Sequence, residues 1–352
     1  MTSGAPAAET GSPMADDSDD LLVVNDMSVQ FRVGGAWLPA VDHVSLRIGR
    51  GEIVGLVGES GCGKSTFGMS LLRLVRAPGE VRGGSIIFNG RDLLAMTEAE
   101  MRRIRGASIS LVVQDALAVM NPVTTVGEQM AEVVRDHVGG TRIQIRDRVI
   151  DMLRRVHLPE PERLMRRYPH QLSGGMQQRV VIGQALMLGP ELIVADEPTT
   201  ALDVTVQAQI LDLFREVGET HQTSVLLITH DLGVVGELCD RVFVMYAGRI
   251  VESAGVTQLF SAPKHPYTRA LLAGLLPLKG EPPEKLQPLP GQLPTPDDWP
   301  SGCRFHPRCP LRQVLGNPAR CEQEEPMPIE TGHWAACHFA DAVQHEQQGQ
   351  MT

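Results

Sequence analysis

Residues 58–66 read Gly58-Glu-Ser-Gly-Cys-Gly-Lys64-Ser65-Thr66, which fits the pattern G-x-x-x-x-G-K-[ST]. The apolar run Ile53–Val57 precedes the stretch and a helical pattern over Phe67–Val75 follows it, so the motif lies between a predicted strand and a predicted helix. Its glycines let successive backbone N–H groups point inward at a helix N-terminus, where they attract an anion. Lys64 would then reach the β- and γ-phosphates of a nucleotide, and the Ser65 hydroxyl would hold Mg²⁺. The stretch therefore predicts a nucleoside-triphosphate site.

The lysine content of the chain favours this interpretation over a glycine turn with an exposed lysine. Only four of the 32 basic residues are lysines, at positions 64, 264, 279 and 285, so Lys64 is the single lysine of the first 263 residues. Arginine replaces lysine almost everywhere else, which argues that a lysine kept in this context is functional.

Composition and charge exclude several classes of protein. The chain has 352 residues, enough for one large domain and a smaller one, and its formal charge of −10 argues against a sequence-independent grip on nucleic acid. Aromatic residues make up only 4% of the chain, so we do not expect it to bind its ligands mainly by stacking bases on aromatic side chains. No apolar run approaches the roughly 18 residues that cross a bilayer, and residues 1–20 are acidic, unlike a signal peptide. We expect a soluble intracellular protein whose residues 1–20 form a disordered acidic tail.

Residues 21–255 alternate between short β-rich runs and amphipathic stretches, which predicts an α/β layered domain with a mostly parallel sheet. Between about residues 115 and 188 the helical patterns have no strand between them, so a helical insertion is expected there. Capping-box spacing predicts helix starts at Thr97, Thr125 and Thr141. The predicted strands are Val23–Phe31, Ile53–Val57, Ser85–Phe88, Ile109–Val113, Leu192–Ala195, Val225–Ile228 and Val242–Tyr246.

Two consecutive carboxylates, Asp196 and Glu197, are expected to lie beside the phosphate loop. The strand predicted over Leu192–Ala195 ends in Asp196 and Glu197, which places both at the carboxyl edge of an open α/β sheet, beside the loop. Asp196 would lie in the outer coordination sphere of Mg²⁺, and Glu197 would orient and deprotonate the attacking water. Alone, such a strand end is more often merely solvated, but together with the phosphate loop it predicts a hydrolytic site.

Three further segments carry groups that could meet an anion or a cation. Ser173, Gly174 and Gly175 open an apolar helix and expose backbone N–H groups. His230 follows a buried strand and could contact a γ-phosphate, while Gln114 ends another strand and could ligate Mg²⁺. Taken singly, each has an ordinary structural explanation: a helix cap, a capping or core histidine, and a surface amide.

The order and spacing of these segments resemble those of the ATP-binding-cassette (ABC) ATPases throughout residues 21–255. The segment Leu172-Ser-Gly-Gly-Met-Gln-Gln-Arg179 looks like that family's signature, which is close to unique to it. The resemblance implies an α/β fold of ABC type, with a RecA-like core, an N-terminal antiparallel β-subdomain and a helical subdomain. It also implies that Gln114 is the Q-loop residue, Asp203 the D-loop residue and His230 the switch histidine.

The resemblance further implies which residues bind ATP. Phe31 is our choice for the aromatic that stacks on adenine, with Trp37 as the rival. Lys64, Gln114, Glu197 and His230 are the catalytic candidates, and Ser65, Gln114 and Asp196 the candidates for Mg²⁺. The expected ATP-binding set is Phe31, Gly58, Ser60, Gly61, Cys62, Gly63, Lys64, Ser65, Thr66, Gln114, Ser173, Gly174, Gly175, Asp203 and His230.

In this family two cassettes pack head to tail, so that Ser173 and Gly175 of one contact the γ-phosphate bound by the other. The chain carries one phosphate loop and one signature. The resemblance therefore implies a partner cassette, either a second copy or a sister ATPase. Glu197 is retained, so the site is expected to hydrolyse ATP.

After residue 255 the composition changes. Eight prolines between residues 277 and 300 predict an extended linker. Four cysteines follow in the spacing C-x5-C-x11-C-x15-C, in a segment with little core of its own, and in a reducing compartment a metal is more plausible than disulfides. The spacing matches neither a paired zinc ribbon nor the common ferredoxin runs, so zinc, an iron–sulfur cluster and no metal all remain open. The candidate ligands are Cys303, Cys309, Cys321 and Cys337, with His306, His333 and His338 as possible substitutes. The other two cysteines, Cys62 and Cys239, are interpreted as unpaired packing residues.

Residues 256–340 resemble the C-terminal region of oligopeptide and dipeptide importer ATPases, which nickel importers share. The resemblance rests on residues 265–272, 302–310 and 333–338, and it leaves residues 341–352 as a flexible tail. It implies a [4Fe–4S] cluster on the four cysteines, in preference to zinc, with a structural role. It also implies an importer subunit peripheral on the cytoplasmic face of the inner membrane, with two integral permease subunits and an extracytoplasmic substrate-binding protein as partners.

Two other functions are weaker. A soluble ABC ATPase acting on DNA or ribosomes would usually show tandem cassettes, coiled-coil insertions or basic arms, which this sequence lacks, so no nucleic-acid partner is expected. An iron–sulfur redox protein that happens to bind ATP does not account for the intact hydrolytic set. The cargo, whether dipeptide, oligopeptide or nickel chelate, is read by other subunits.

Overall fold

The structure is a computed structural model that describes residues 20–200, 202–274, 289–328 and 332–343. Its strands are β1 (Asp20–Val33), β2 (Ala36–Gly49), β3 (Ile53–Val57), β4 (Gly79–Phe88), β5 (Arg91–Asp92), β6 (Ile109–Val112), β7 (Leu192–Asp196), β8 (Ser224–Thr229), β9 (Arg241–Tyr246), β10 (Arg249–Gly255) and β11 (Trp334–Ala335). Within the described residues they form an antiparallel sheet in the order β2-β1-β4-β5 and a larger sheet in the order β11-β10-β9-β3-β8-β7-β6.

The larger sheet is parallel from β9 through β3, β8 and β7 to β6, and antiparallel where β10 and β11 extend it. The parallel strands β3, β7 and β8 are short and buried throughout, as expected when helices or a second sheet cover both faces. The predicted α/β fold with a mostly parallel sheet is therefore confirmed.

The helices are α1 (Lys64–Leu71), α2 (Glu98–Ile104), α3 (Ala116–Val119), α4 (Val126–His137), α5 (Arg142–Arg155), α6 (Pro161–Leu164), α7 (Gly174–Leu186), α8 (Val204–His221), α9 (Leu232–Leu238), α10 (Val256–Ser261), α11 (Pro266–Ala273), α12 (Pro310–Val314) and α13 (Arg320–Gln323). Short 3₁₀ turns lie at Pro169–Gln171 and His306–Arg308. None of the helices in the described ranges is both long and apolar enough to span a bilayer.

Helix starts follow the sequence signals closely. Thr97 and Thr141 form complete capping boxes with Glu100 and Gln144. Thr125 caps α4 through its side chain alone, by accepting a hydrogen bond from the Glu128 N–H. From β6 to β7, a stretch described without gaps, all the elements are helical, which is where the sequence predicts a helical insertion.

Several boundaries differ from the predicted ones. The strand β2 is missing from the prediction because it is an edge strand that Pro39 interrupts and that alternates polar residues with buried ones. The strand β10 is also missing, because the buried Glu252 breaks its apolar run. Helix α1 ends at Leu71 rather than Val75, since the chain turns at Arg73, whose φ is +53°. Asp20 belongs to β1 rather than to a disordered tail; residues 1–19 lie outside the described residues.

The hydrophobic core has two parts, one on each face of the larger sheet. Along β3, Val54 and Leu56 pack with the antiparallel sheet, while Ile53 and Val57 pack with the helices on the other face. This alternation follows from the two-residue period of a strand. The antiparallel sheet is thus one of the two layers that cover the phosphate-binding strand.

The C-terminal region shares the cassette's core. The rings of Tyr246, Tyr267 and Phe305 meet at centroid distances of 4.7–5.5 Å, and all three are buried. Residues 340–343 are helical and Val343 is buried, so the predicted flexible tail is wrong for residues 341–343. Residues 344–352 and the linker residues 277–288 lie outside the described residues.

Glu252 is the polar anchor of this docking. It is fully buried in β10, and its carboxylate accepts hydrogen bonds from the N–H groups of Lys264 and His265, at 2.6 and 2.8 Å. Its Oε1 also lies 2.8 Å from Nε2 of His333, which directly precedes β11. One carboxylate therefore ties the start of α11 and the edge strand β11 to the cassette.

We expect Glu252→Ala to lower the free energy of unfolding by about 3 kcal/mol, because it leaves several buried donors without a partner. Urea denaturation measures the change. Glu324→Ala, which removes an exposed ion pair with Arg320, is the control and should change stability by less than about 0.5 kcal/mol. A loss no larger than that of the control would show that the docking does not depend on Glu252.

Candidate nucleotide-binding site

The loop between β3 and α1 is shaped by glycines that admit no side chain. Gly63 has a φ of +113°, and a Cβ there would lie 2.4 Å from the Ala40 carbonyl oxygen. A Cβ on Gly58 would lie 2.2 Å from the Met245 carbonyl oxygen. Both distances are far inside van der Waals contact. The loop therefore takes its tight path only with glycine at these two positions.

Lys64 is held inside the loop. Its side chain is buried, and Nζ donates to the carbonyl oxygens of Gly58 and Glu59, at 2.7 and 3.0 Å. These contacts satisfy the buried ammonium, which would otherwise be costly.

Ser65 and Asp196 meet at the edge of the parallel sheet. The Ser65 hydroxyl donates to Oδ1 of Asp196 at 3.1 Å, although the two residues are 131 positions apart. Burial raises the pKa of the Asp196 carboxyl, as does the nearby charge of Glu197, while the Ser65 hydrogen bond lowers it. A hydroxyl and a carboxylate in contact are the oxygen ligands that Mg²⁺ prefers.

The carboxylate of Glu197 contacts two of the other hydrolytic candidates. Oε2 accepts hydrogen bonds from Thr200 Oγ1 at 2.7 Å and Gln114 Nε2 at 3.2 Å, and Oε1 lies 3.0 Å from His230 Nδ1. Burial raises its pKa, but the hydrogen bonds from Thr200 and His230 and the charge of Lys64 outweigh it, so the pKa lies below the usual value. The structure thus brings together Gln114, Glu197 and His230, and adds Thr200, which sequence reasoning missed.

The backbone at Glu197 is strained. Its φ is +47°, a region that residues other than glycine seldom occupy, and its N–H donates to the Ile228 carbonyl oxygen at 2.8 Å. Such strain persists where the surroundings hold it in place, and it concentrates at functional sites. In this conformation the carboxylate of Glu197 reaches Gln114 and His230.

One cavity of about 650 Å³ joins the phosphate loop to Gln114, Glu197, Thr200 and His230, within the size range of small-molecule sites. Asp196 is not among its lining residues and reaches it only through its hydrogen bond with Ser65. Phe31 and Trp37 are not among its lining residues: Phe31 packs against Gly79 and Val75, and Trp37 lies under the guanidinium of Arg82. The aromatic residue at the cavity is Trp299, from the proline-rich stretch, which carried no recognisable motif. The lining comprises Ala40, Val57, the loop residues 58–66, Gln114, Glu197, Thr200, His230, Leu232, Ala247, Gly248, Leu271, Pro294, Pro296 and Trp299.

The signature residues, 173–175, and the D-loop residue Asp203 lie outside the cavity, at the starts of α7 and α8. Ser173 caps α7, and Asp203 caps α8 by accepting a hydrogen bond from the Val206 N–H at 2.9 Å. A Cβ on Gly175 would lie 2.9 Å from Val206, so the two helix starts pack against each other. Ser173, Gly174, Gly175 and Asp203 are all absent from the lining of the cavity.

The four C-terminal cysteines surround a second, apolar cavity, which His306 and His338 also line. Burial raises the pKa of Cys303 and of Cys337 to about 12 and also raises the pKa values of Cys309 and Cys321. His333 is engaged with Glu252 instead. Among the described residues, no three His, Cys, Asp or Glu side chains converge closely enough to hold a single metal ion.

Family models match two parts of the chain. Residues 41–200 match the model described as ABC transporter, and residues 251–314 match the model described as the C-terminal region of oligopeptide/dipeptide transporters. The first match includes the phosphate loop, Gln114 and Glu197, and the second includes Trp299 and Cys303 to Cys309.

Similar proteins and structures agree with these matches. The chain is 45% identical to a probable peptide ABC transporter ATP-binding protein of Sinorhizobium fredii, over 93% of this chain and 97% of that protein. It is 43% identical to the dipeptide transport ATP-binding protein DppD of Escherichia coli, over 91% and 96%. A dimeric ATP-binding cassette in a post-hydrolysis state with ADP and Pi superimposes with a TM-score of 0.61 at 27% identity, covering 67% of this chain and 98% of that one.

These relatives match nearly the full length of the chain, and the solved cassette covers two thirds of it. The sequence motifs, the geometry around the phosphate loop and the comparisons therefore agree. The chain belongs to the ABC transporter family of ATP-binding proteins, in the group that carries the oligopeptide/dipeptide transporter C-terminal region.

Proposed function

We propose that this chain is the ATP-hydrolysing subunit of a peptide importer. The observation that carries the hydrolytic part is the convergence of Gln114, Thr200 and His230 on Glu197, beside the Ser65–Asp196 pair. The oligopeptide/dipeptide C-terminal region and the peptide-transport relatives support peptides as the cargo.

The candidate catalytic and Mg²⁺-binding residues each have a proposed task in hydrolysis. The loop N–H groups and Lys64 hold the β- and γ-phosphates and stabilise the charge of the transferred phosphoryl group. Ser65, Gln114 and Asp196 would hold Mg²⁺, which neutralises phosphate charge when bound. Glu197 accepts the proton of the water that attacks the γ-phosphorus, as the bond to the ADP oxygen breaks.

A second cassette would complete the site. Ser173, Gly174, Gly175 and Asp203 lie outside the cavity of their own chain, as required if they serve a neighbour's nucleotide. The solved cassette with which this chain superimposes is dimeric. We infer a head-to-tail pair, formed by ATP binding and separated after hydrolysis, with either a second copy or a sister ATPase.

The segment after Gln114 offers a surface for the integral permease subunits. Leu117, Val119 and Val123 are exposed apolar side chains between the Gln114 site and α4. A permease subunit bound there would lie beside Gln114. The peptide-transport relatives support the rest of the proposal: a subunit on the cytoplasmic face of the inner membrane, with two permease subunits and an extracytoplasmic substrate-binding protein as partners.

We propose that Trp299, rather than Phe31 or Trp37, is the aromatic residue that stacks on the adenine base. The guanidinium of Arg304 lies 3.6 Å from its ring centroid and is itself held by Asp42. A Cβ on Gly248 would approach the indole to 2.7 Å. The ring is therefore fixed at the cavity, and an immobile aromatic face suits a nucleobase.

Four thiols line one cavity of the C-terminal region. In a [4Fe–4S] cluster each of four thiolates would bind a different iron, whereas a structural zinc site holds all its ligands on one ion. We propose that Cys303, Cys309, Cys321 and Cys337 hold such a cluster in a structural role.

Glu197→Gln should keep ATP binding and lower ATP turnover at least about a hundredfold, because the amide cannot accept the water's proton. Phosphate release measures turnover, and equilibrium binding measures affinity. Glu219→Gln, a surface change on α8, serves as the control and should match the parent. Turnover of Glu197→Gln within a few-fold of the parent would reject its role as base.

Trp299→Ala should weaken ATP binding about tenfold, the typical value of stacking one base, whereas Trp299→Phe should keep most of the affinity. A chain with Trp299 as its sole tryptophan (W37F/W334F) should change its fluorescence on ATP addition. The matched chain with Trp37 alone (W299F/W334F) should not. Normal affinity in Trp299→Ala together with a loss in Phe31→Ala would return the role to Phe31.

Protein purified without oxygen should contain about four iron and four sulfide per chain. Cys309→Ser should lose most of the iron, while Cys239→Ser, a buried cysteine outside the group, should retain it. Zinc in place of iron would contradict the cluster and reverse the assignment.

A further inference from the structure

Glu59 places a carboxylate in a loop that is built to bind an anion. It directly follows Gly58, and it is among the residues that line the nucleotide cavity. A negative charge so near the triphosphate would oppose binding by Coulomb repulsion, which a partly buried site screens less than open solvent does. None of the hydrolytic residues described above contacts its carboxylate oxygens.

Arg308 neutralises that carboxylate from the C-terminal region. Its guanidinium donates from Nη1 to Glu59 Oε2 at 2.7 Å and from Nη2 to Oε1 at 2.9 Å, a two-pronged ion pair. The side chain of Arg308 is only 7% exposed, so solvent screens the pair weakly. The hydrogen bonds to Glu59 and Tyr246 raise the pKa of Arg308 against the opposing effect of burial, so it stays charged.

Further contacts fix the geometry of the pair. Arg308 Nε donates to the Pro290 carbonyl oxygen at 2.8 Å, and the backbone N–H of Glu59 donates to the Tyr267 hydroxyl at 2.8 Å. Leu293 lies 3.8 Å from the position of a Cβ on Gly61. Glu59 is thus held through both its backbone and its side chain, by residues that come more than 200 positions later in the sequence.

We propose that Arg308 is a positioning residue for ATP: it cancels and orients the Glu59 charge, so that the phosphate loop binds nucleotide tightly only while the C-terminal region is docked. The proposal rests on the proposed use of this cavity for ATP. It assigns the C-terminal region a part in nucleotide affinity within its own chain, beyond any structural role of its cysteines. Arg308 directly precedes Cys309, so displacement of the cysteine-bearing segment would displace the guanidinium as well.

The charge-cancelling role differs from a purely structural one in a measurable way. If Arg308 only braces the loop, removing both partners of the ion pair damages the site at least as much as removing one. If it cancels charge, removing Glu59's charge as well relieves the repulsion. The comparison of Arg308→Met with the double variant E59Q/R308M separates the two.

Arg308→Met should weaken ATP binding about tenfold or more, because it leaves an unpaired carboxylate beside the triphosphate. The double variant E59Q/R308M should recover to within about threefold of the parent. The loss in Arg308→Met should also shrink as salt is raised, since screening weakens the repulsion. Titration with a fluorescent ATP analogue measures the dissociation constants, and turnover at saturating ATP should change far less than KM.

Arg320→Met, which removes an exposed ion pair of the same region, is the matched control and should bind ATP as the parent does. A double variant that binds as weakly as Arg308→Met, or an Arg308→Met with parental affinity, would overturn the proposal. Should Arg308→Met not fold, the double variant alone decides, because it must fold and bind near the parental level. Absence of ATP binding in the parent would instead contradict the proposed function.

Discussion

Close packing of two carbonyl groups against the phosphate loop is the constraint on which the rest of this molecule depends. The Met245 carbonyl lies against Gly58, and the Ala40 carbonyl lies against Gly63. Met245 is in β9 of the larger sheet, whereas Ala40 is in β2 of the antiparallel sheet. Both sheets must therefore be seated against each other before the loop can turn its N–H groups and Lys64 inward.

The candidate hydrolytic residues are brought together by the parallel order of the larger sheet. Gln114 follows β6, Asp196 ends β7 and His230 follows β8, and these strands are neighbours. Because parallel strands end at the same edge, residues far apart in sequence meet there. Glu197 then acts as the hub, since the amide, the hydroxyl and the imidazole all reach its carboxylate.

The C-terminal region extends this site rather than standing apart from it. It shares the core through Tyr267 and Phe305, it is anchored by the buried Glu252, and it reaches the phosphate loop through Arg308. A region that looks poor in core when its sequence is read alone obtains its core from the cassette. Glu59, which lines the cavity, is thus also a contact of the docked C-terminal region.

The sequence by itself determined the phosphate loop, the acidic strand end, the signature helix and the α/β class, because each depends on local spacing and on the period of a strand or helix. Only the tertiary structure decided that Thr200 joins Glu197, that Trp299 and not Phe31 lies at the cavity, and that Arg308 pairs with Glu59. Those partners are close in space but distant in the chain, and an arginine or a tryptophan in a proline-rich stretch carries no local pattern. The edge strand β2 escaped prediction for a related reason: its pairing with β1, rather than its own composition, makes it a strand.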